Sequence, residues 1–223
     1  MKNRDCSWLA LAVAAIVFCH VPSEAFAFMD AFNDVIFGDL GIKDDEAEFR
    51  VFYNVRNVRD NGVKLLTDEK DLPALKSLSG FGMDLTMGAR RAQIGLHVVY
   101  DRTQNDGATP QGPLPEGASP GPNFSRLQSF TAAPLVRFYP VDTEFVRLDF
   151  HASAGLQWSQ VDLQKDGIEF YSGSGASWLA QFGGGLSFGR DSVFLTLETG
   201  YRFLRTPIDL GGPYFAIGVS FPD

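Results

Sequence analysis

His151-Ala152-Ser153 sets an imidazole two residues before a hydroxyl, so in an extended chain both side chains fall on one face. A base within reach of a hydroxyl is the start of a hydrolase site, which also needs an acid to orient the base. The segment "DGIE", Asp166–Glu169, offers carboxylates. His97 is the other histidine beyond the first 27 residues. Two histidines without a clustered carboxylate pattern do not make a metal site. Asp162–Glu169 has acidic oxygens and a glycine but not the ligand spacing of a calcium loop. No metal and no cofactor are expected. A wider set of charges comprises Arg50, Arg56, Asp84, Arg90, Asp101, Arg137, Arg147, Asp149, Glu198 and Arg202. Its arginines outnumber its acids, which reads either as a narrow, weakly anion-favouring pore or as a closed plug of salt bridges.

The elements that carry these residues are strands. In "FVRLDFHASAGLQWSQ", Phe145–Gln160, polar Arg147, Asp149, His151, Ser153 and Gln157 alternate with apolar Val146, Leu148, Phe150, Ala152, Ala154, Leu156 and Trp158. A period of two is an extended strand with two unlike faces. Eight such segments are expected: Glu48–Val58, Gly80–Ala89, Arg91–Arg102, Gln128–Tyr139, Phe145–Ser159, Ala176–Phe188, Ser192–Leu204 and Gly212–Phe221. After the first, third and fifth come long polar connections, Arg59–Ser79, Thr103–Leu127 and Gln160–Gly175; after the second, fourth and sixth come tight turns. The second long connection is rich in proline and glycine, and "DEKDLPALKSL", Asp68–Leu78, in the first could form a short helix.

A chain of 223 residues suffices for one sizeable domain, and a net charge of −8 argues against nucleic acid as a partner. Residues 1–27 read as a cleaved export signal: Lys2 and Arg4, an apolar stretch from Trp8 to Cys19, then Ala25-Phe26-Ala27. Both cysteines, Cys6 and Cys19, lie within it, so the mature chain has no disulfide. Residues 28–47 form an N-terminal periplasmic segment in which Phe28, Met29, Phe32, Val35 and Ile36 follow helical spacing; it either lies at the membrane interface, folds into the barrel mouth or frays. Residues 48–223 form the barrel.

Alternation alone does not say which face meets water. Aromatic placement does. On the apolar face Phe81, Tyr100, Phe130, Trp158, Trp178, Tyr201 and Phe203 fall at the strand ends next to the long connections, and Phe49, Phe138, Phe188 and Phe221 at the opposite ends. Two such bands are what two lipid–water boundaries require. The polar face carries the charges together with Gly82, Gly88, Gly95, Gly155, Gly183, Gly185, Gly200 and Gly218, which leave room for long side chains inside a narrow barrel. The expectation is therefore an all-β, eight-stranded antiparallel up-and-down transmembrane barrel. Its interior is small enough for side chains to fill, which favours the plug.

"FGGGLSFG", "LTLETGYRF" and "GGPYFAIGVSF" resemble the last three strands of small OmpA-like outer-membrane barrel proteins. The resemblance runs from about Glu48 onward and implies residence in the cell outer membrane, contact with outer-membrane lipid, and recognition by the outer-membrane assembly machinery through a terminal aromatic. Phe221 occupies that place, followed by Pro222 and Asp223. Some barrels of this kind modify lipid A. His151-x-Ser153 is similar to the motif of the lipid A deacylases, but theirs lies near the chain's end ahead of an Asn-rich segment that this sequence lacks. A structural or surface-interaction role, with the long loops meeting an extracellular ligand, is expected in place of catalysis; a narrow solute pore and a lipid-modifying enzyme are the alternatives.

Overall fold

The computed structural model describes residues 46–57, 67, 72–107, 123–166, 168–190, 192–205 and 210–222. Eight strands follow in chain order: β1 Glu46–Asn57, β2 Ser77–Ala89, β3 Ala92–Asp106, β4 Phe124–Asp142, β5 Val146–Lys165, β6 Ile168–Arg190, β7 Val193–Arg205 and β8 Gly212–Pro222. Each pairs antiparallel with its neighbour in sequence, and β1 closes on β8, so the barrel has no free edge over the closed part. The two cysteines, the 1–27 signal and the 28–38 amphipathic segment lie outside the described residues.

The barrel has a turn end and a loop end. At the turn end β2 and β3 are joined through Arg90 and Arg91, and β4 and β5 through Thr143–Phe145, where the Thr143 N–H donates to the Val146 carbonyl at 3.0 Å. Gly88 precedes the first of these turns at φ 143°, a conformation closed to residues with a Cβ. At the loop end the strands differ in height. β5 and β6 continue well beyond Trp158 and Trp178 to a two-residue connection between Lys165 and Ile168, with Asp166 in the left-handed region at φ 51°. Asp-Gly suits such a hairpin.

This corrects the expected third loop: within Gln160–Gly175, Gln160–Lys165 and Ile168–Gly175 are strand. The reason is a switch of faces. On β5, inward Arg147, Asp149, His151, Ser153 and Gln157 give way to inward Val161 and Leu163, while the outward series ending in Trp158 continues as Gln160. On β4, outward Phe130 is preceded by outward Gln128 and Arg126, and inward Ser129 by inward Leu127. The period of two persists while its polarity inverts. The second expected loop shortens likewise, to 107–123, because β3 and β4 pair as far as Asp106 and Phe124. Of the short helix expected over Asp68–Leu78, residues 68–71 lie outside the described part; Leu72–Lys76 have no regular structure, and Ser77 and Leu78 begin β2.

Inside the loop end, Leu72 and Leu75 ahead of β2 and Leu210 ahead of β8 pack on Leu78, Leu127, Val161 and Leu163, with Tyr171 and Leu204 against them. This cluster lines the loop end of the barrel interior with apolar side chains.

Candidate functional site: the charged barrel interior

Below the leucine cap the interior is a network of ions. Arg137 from β4 reaches Asp84 of β2 at 2.7 Å, Glu198 of β7 at 3.2 Å and Asp149 of β5 at 3.5 Å. Arg50 of β1 pairs with Glu48 at 2.9 Å and with Asp149 at 3.5 Å, and also binds Glu198. Nearest the turn end, Arg147 bridges Glu48 at 3.1 Å and Asp142 at 2.8 Å, and the Tyr139 hydroxyl donates to Glu48 at 2.7 Å. All of these except Asp142 are buried residues, and the Asp142 carboxylate is 4 % exposed.

A second layer lies toward the cap. Arg56 pairs with Asp101 at 2.9 Å, and Arg202 stands 3.7 Å from the same carboxylate. Gln181 accepts from Arg202 at 2.8 Å, Ser129 accepts from Arg56 at 2.8 Å, and Arg56 also donates to the Leu210 carbonyl at 3.2 Å. Charged groups are tolerated here because each guanidinium meets a carboxylate and further polar atoms.

Arg50, Arg56, Asp84, Asp101, Arg137, Arg147, Asp149, Glu198 and Arg202 are thus brought together inside the barrel. Arg90 is not. Its side chain is 62 % exposed and its Nε donates to Asp142 at 3.0 Å, because β2 ends at Ala89 and leaves Arg90 at the tip of the connection. That hydrogen bond and the charge of Asp142 raise its pKa above the usual value. Glu48, Asp142, Tyr139 and Tyr214 were missed by sequence reasoning. Glu48 shares the parity of Arg50, and Tyr139 that of Arg137, so alternation was the available signal. Among the described residues the interior holds five arginines and, with Asp142, six carboxylates. The expected arginine excess is therefore reversed.

Between the layers sit the two histidines. His97 Nδ1 lies 2.7 Å from Asp84, and its ring stacks on Phe52 at 5.7 Å. His151 is held from both sides, Nδ1 by Asp149 at 3.0 Å and Nε2 by the Tyr214 hydroxyl at 2.6 Å. Gly183 makes this contact fit: a Cβ there would stand 2.7 Å from His151 Nε2. The Ser153 hydroxyl is buried without a hydrogen-bond partner, so the base–hydroxyl pair of a hydrolase is not formed. Asp149, His151 and Glu198 offer ligand atoms within 4.8 Å of one another. Arg50 and Arg137 already hold both carboxylates, and a cation there would have to displace them.

The aromatic residues of the two expected bands face outward. Phe81, Tyr100, Phe130, Trp158, Trp178 and Phe203 are exposed near the loop end with Tyr201 half-buried against Phe203; Phe138, Phe188 and Phe221 are exposed toward the turn end, with Phe49 stacked on Phe221 at 6.4 Å. Between the bands the outward surface carries Met83, Leu96, Val136, Phe150, Leu156, Phe182, Leu186, Leu195 and Ile217, a continuous apolar belt far larger than a monomer in water exposes.

No protein-family model matches the chain, and no curated protein matches it in sequence. Solved structures do match. The attachment invasion locus protein Ail of Yersinia pestis, in complex with the heparin analogue sucrose octasulfate, is 13 % identical with a TM-score of 0.51, over 81 % of this chain and 100 % of that one. The outer membrane protein OprG of Pseudomonas aeruginosa is 12 % identical, TM-score 0.48, over 82 % and 97 %. The N-terminal barrel domain of OprF from the same organism is 13 % identical, TM-score 0.42, over 80 % and 97 %. At such identity the likeness is one of fold. The closed antiparallel order β1 to β8, with an apolar belt outside and an ion network inside, makes this chain an eight-stranded antiparallel β-barrel, the fold it shares with Ail.

Proposed function

We propose that the protein is a non-catalytic outer-membrane barrel, closed to solutes, that anchors an extramembrane sheet and its loops at the cell surface. The observation that carries this is the doubly filled interior: two layers of paired arginines, then the leucine cap. An interior so occupied is rigid and leaves the loops as the interacting part. The aromatic bands would lie at the two lipid boundaries, with the turn end in the periplasm. The loops 58–76 and 107–123, with the β5–β6 hairpin, would meet an extracellular ligand, and Phe221 would serve the assembly machinery.

Ion conductance of the refolded full chain in planar bilayers tests the closed interior, with electrophoretic mobility before and after boiling as the check that the barrel has formed. The expected result is a heat-shifted band and no steady current. A steady wild-type current that changes on Arg147→Ala would instead make the protein a narrow pore. A change in lipid A mass on overexpression, abolished by His151→Ala, would make it an enzyme.

A further inference from the structure

Every arginine inside the barrel has a carboxylate partner, whereas among the described residues Arg102 and Arg126, on the outside near the loop end, have none. Arg102 lies on β3 two residues beyond Tyr100, and Arg126 on β4 four residues beyond Phe130. Among the described residues neither forms an ion pair; instead both guanidiniums point at one neutral oxygen. Arg102 Nη2 donates to Gln104 Oε1 at 3.0 Å and Arg126 Nε donates to the same atom at 3.1 Å.

Their surroundings hold them in place without neutralising them. Arg126 lies over the Phe124 ring, 5.1 Å from its centroid. Gln128 donates to Gln160 at 2.9 Å and accepts from the Tyr100 hydroxyl at 3.4 Å, tying the polar row to the aromatic one below. The nearby acids are engaged elsewhere: Asp106 takes the Gln104 amide at 2.9 Å, and Asp162, opposite Arg126, takes Gln160 and Ser172.

We propose that Arg102 and Arg126, aligned by Gln104, bind the phosphorylated headgroup of a lipid in the leaflet around the loop end. The inference rests on the membrane orientation proposed above. Position and charge select this occupant. Two residues along a strand is about 6–7 Å, so the pair begins one step past the aromatic band, where headgroups start. Two planar forks converging on one oxygen leave their outer N–H groups for a shared anion, and guanidinium suits phosphate bidentately. The apolar belt directly below would take the same lipid's acyl chains.

The test uses the full chain refolded in phosphatidylcholine vesicles, with and without a few per cent of bisphosphorylated lipid A, followed by mild detergent extraction and a count of phosphorylated lipid retained per barrel. Retention should fall about ten-fold or more in the Arg102→Gln/Arg126→Gln double variant and partly recover with Arg102→Lys/Arg126→Lys. Arg91→Gln/Arg190→Gln, which removes equal charge at the turn end, should leave it unchanged. Equal retention in the double glutamine variant, an equal fall in the turn-end control, or full competition by millimolar inorganic phosphate would each overturn the lipid site. A chain that shows no heat-shifted band and does not insert would overturn the membrane reading along with it.

Discussion

The two ends of the barrel interior are filled by opposite chemistry on the same strands. Between the aromatic bands the inward positions carry Arg50, Arg137, Asp84, Asp149 and Glu198; beyond the loop-end band they carry Leu127, Val161 and Leu163. The outward positions change in the contrary sense, from Phe130 and Trp158 to Arg126, Gln128 and Gln160. On the membrane orientation proposed above, position relative to lipid accounts for both. Where the outside must be apolar, a polar interior keeps the two faces of each strand distinct and fixes register, since a one-residue slip would put arginines into lipid. Where the outside meets water, the strands do what soluble sheets do and bury leucine.

The sharpest break of this contrast is in the ion layer. Arg137→Ala would leave Asp84, Asp149 and Glu198 short of a partner at once, and an uncompensated buried charge costs about 3–5 kcal/mol. Denaturant unfolding of the refolded barrel, followed by the boiled and unboiled bands, should register a loss of that order. Retained wild-type stability would mean that water enters the layer and that the interior is open.

Placing a charge on the lipid face comes next. Ala154→Arg, midway between the outward Phe150 and Trp158 of β5, should cost about 2–4 kcal/mol in vesicles, whereas Gln160→Arg on the same face of the same strand should cost close to nothing. Equal costs would place the membrane boundary somewhere other than Trp158.

The cap should respond in its own way. Leu163→Ala removes a fully buried side chain and should cost about 2–3 kcal/mol, toward the low end for a core leucine because Leu72, Leu75 and Leu210 come from connections that can settle onto the gap. Conductance should stay absent in this variant, since the ion layers remain. The smallest effect belongs to Arg90→Ala: losing the exposed pair with Asp142 should leave the unfolding midpoint nearly unchanged, and what difference there is should fade with added salt.

Much of this arrangement was legible beforehand. All eight strands, their antiparallel order and the facing of nine of the ten named charged residues follow from a period of two, which the backbone imposes on any extended chain. Arg90 was misplaced because parity says nothing about a residue at the tip of a turn. Gln160–Gly175 looked like a loop because its apolar and polar residues change faces, so a reader following one apolar series sees it stop at Trp158. Glu48 was overlooked as a strand terminus, yet it binds Arg50, Arg147 and Tyr139.

The sequence by itself determined that there are eight strands and which face of each is apolar between Phe130 and Phe138, Trp158 and Val146 and their neighbours, because these depend on residues two apart; the strand extensions at the loop end, where the faces invert, it did not. Partners were decided only by the closed barrel. Arg50 meets Glu198 across 148 positions and Arg56 meets Ser129 across 73, distances over which alternation carries no information. Whether five arginines and six carboxylates make a channel or a plug depends on the register that β1–β8 closure sets, since that register decides which charges arrive at the same height inside.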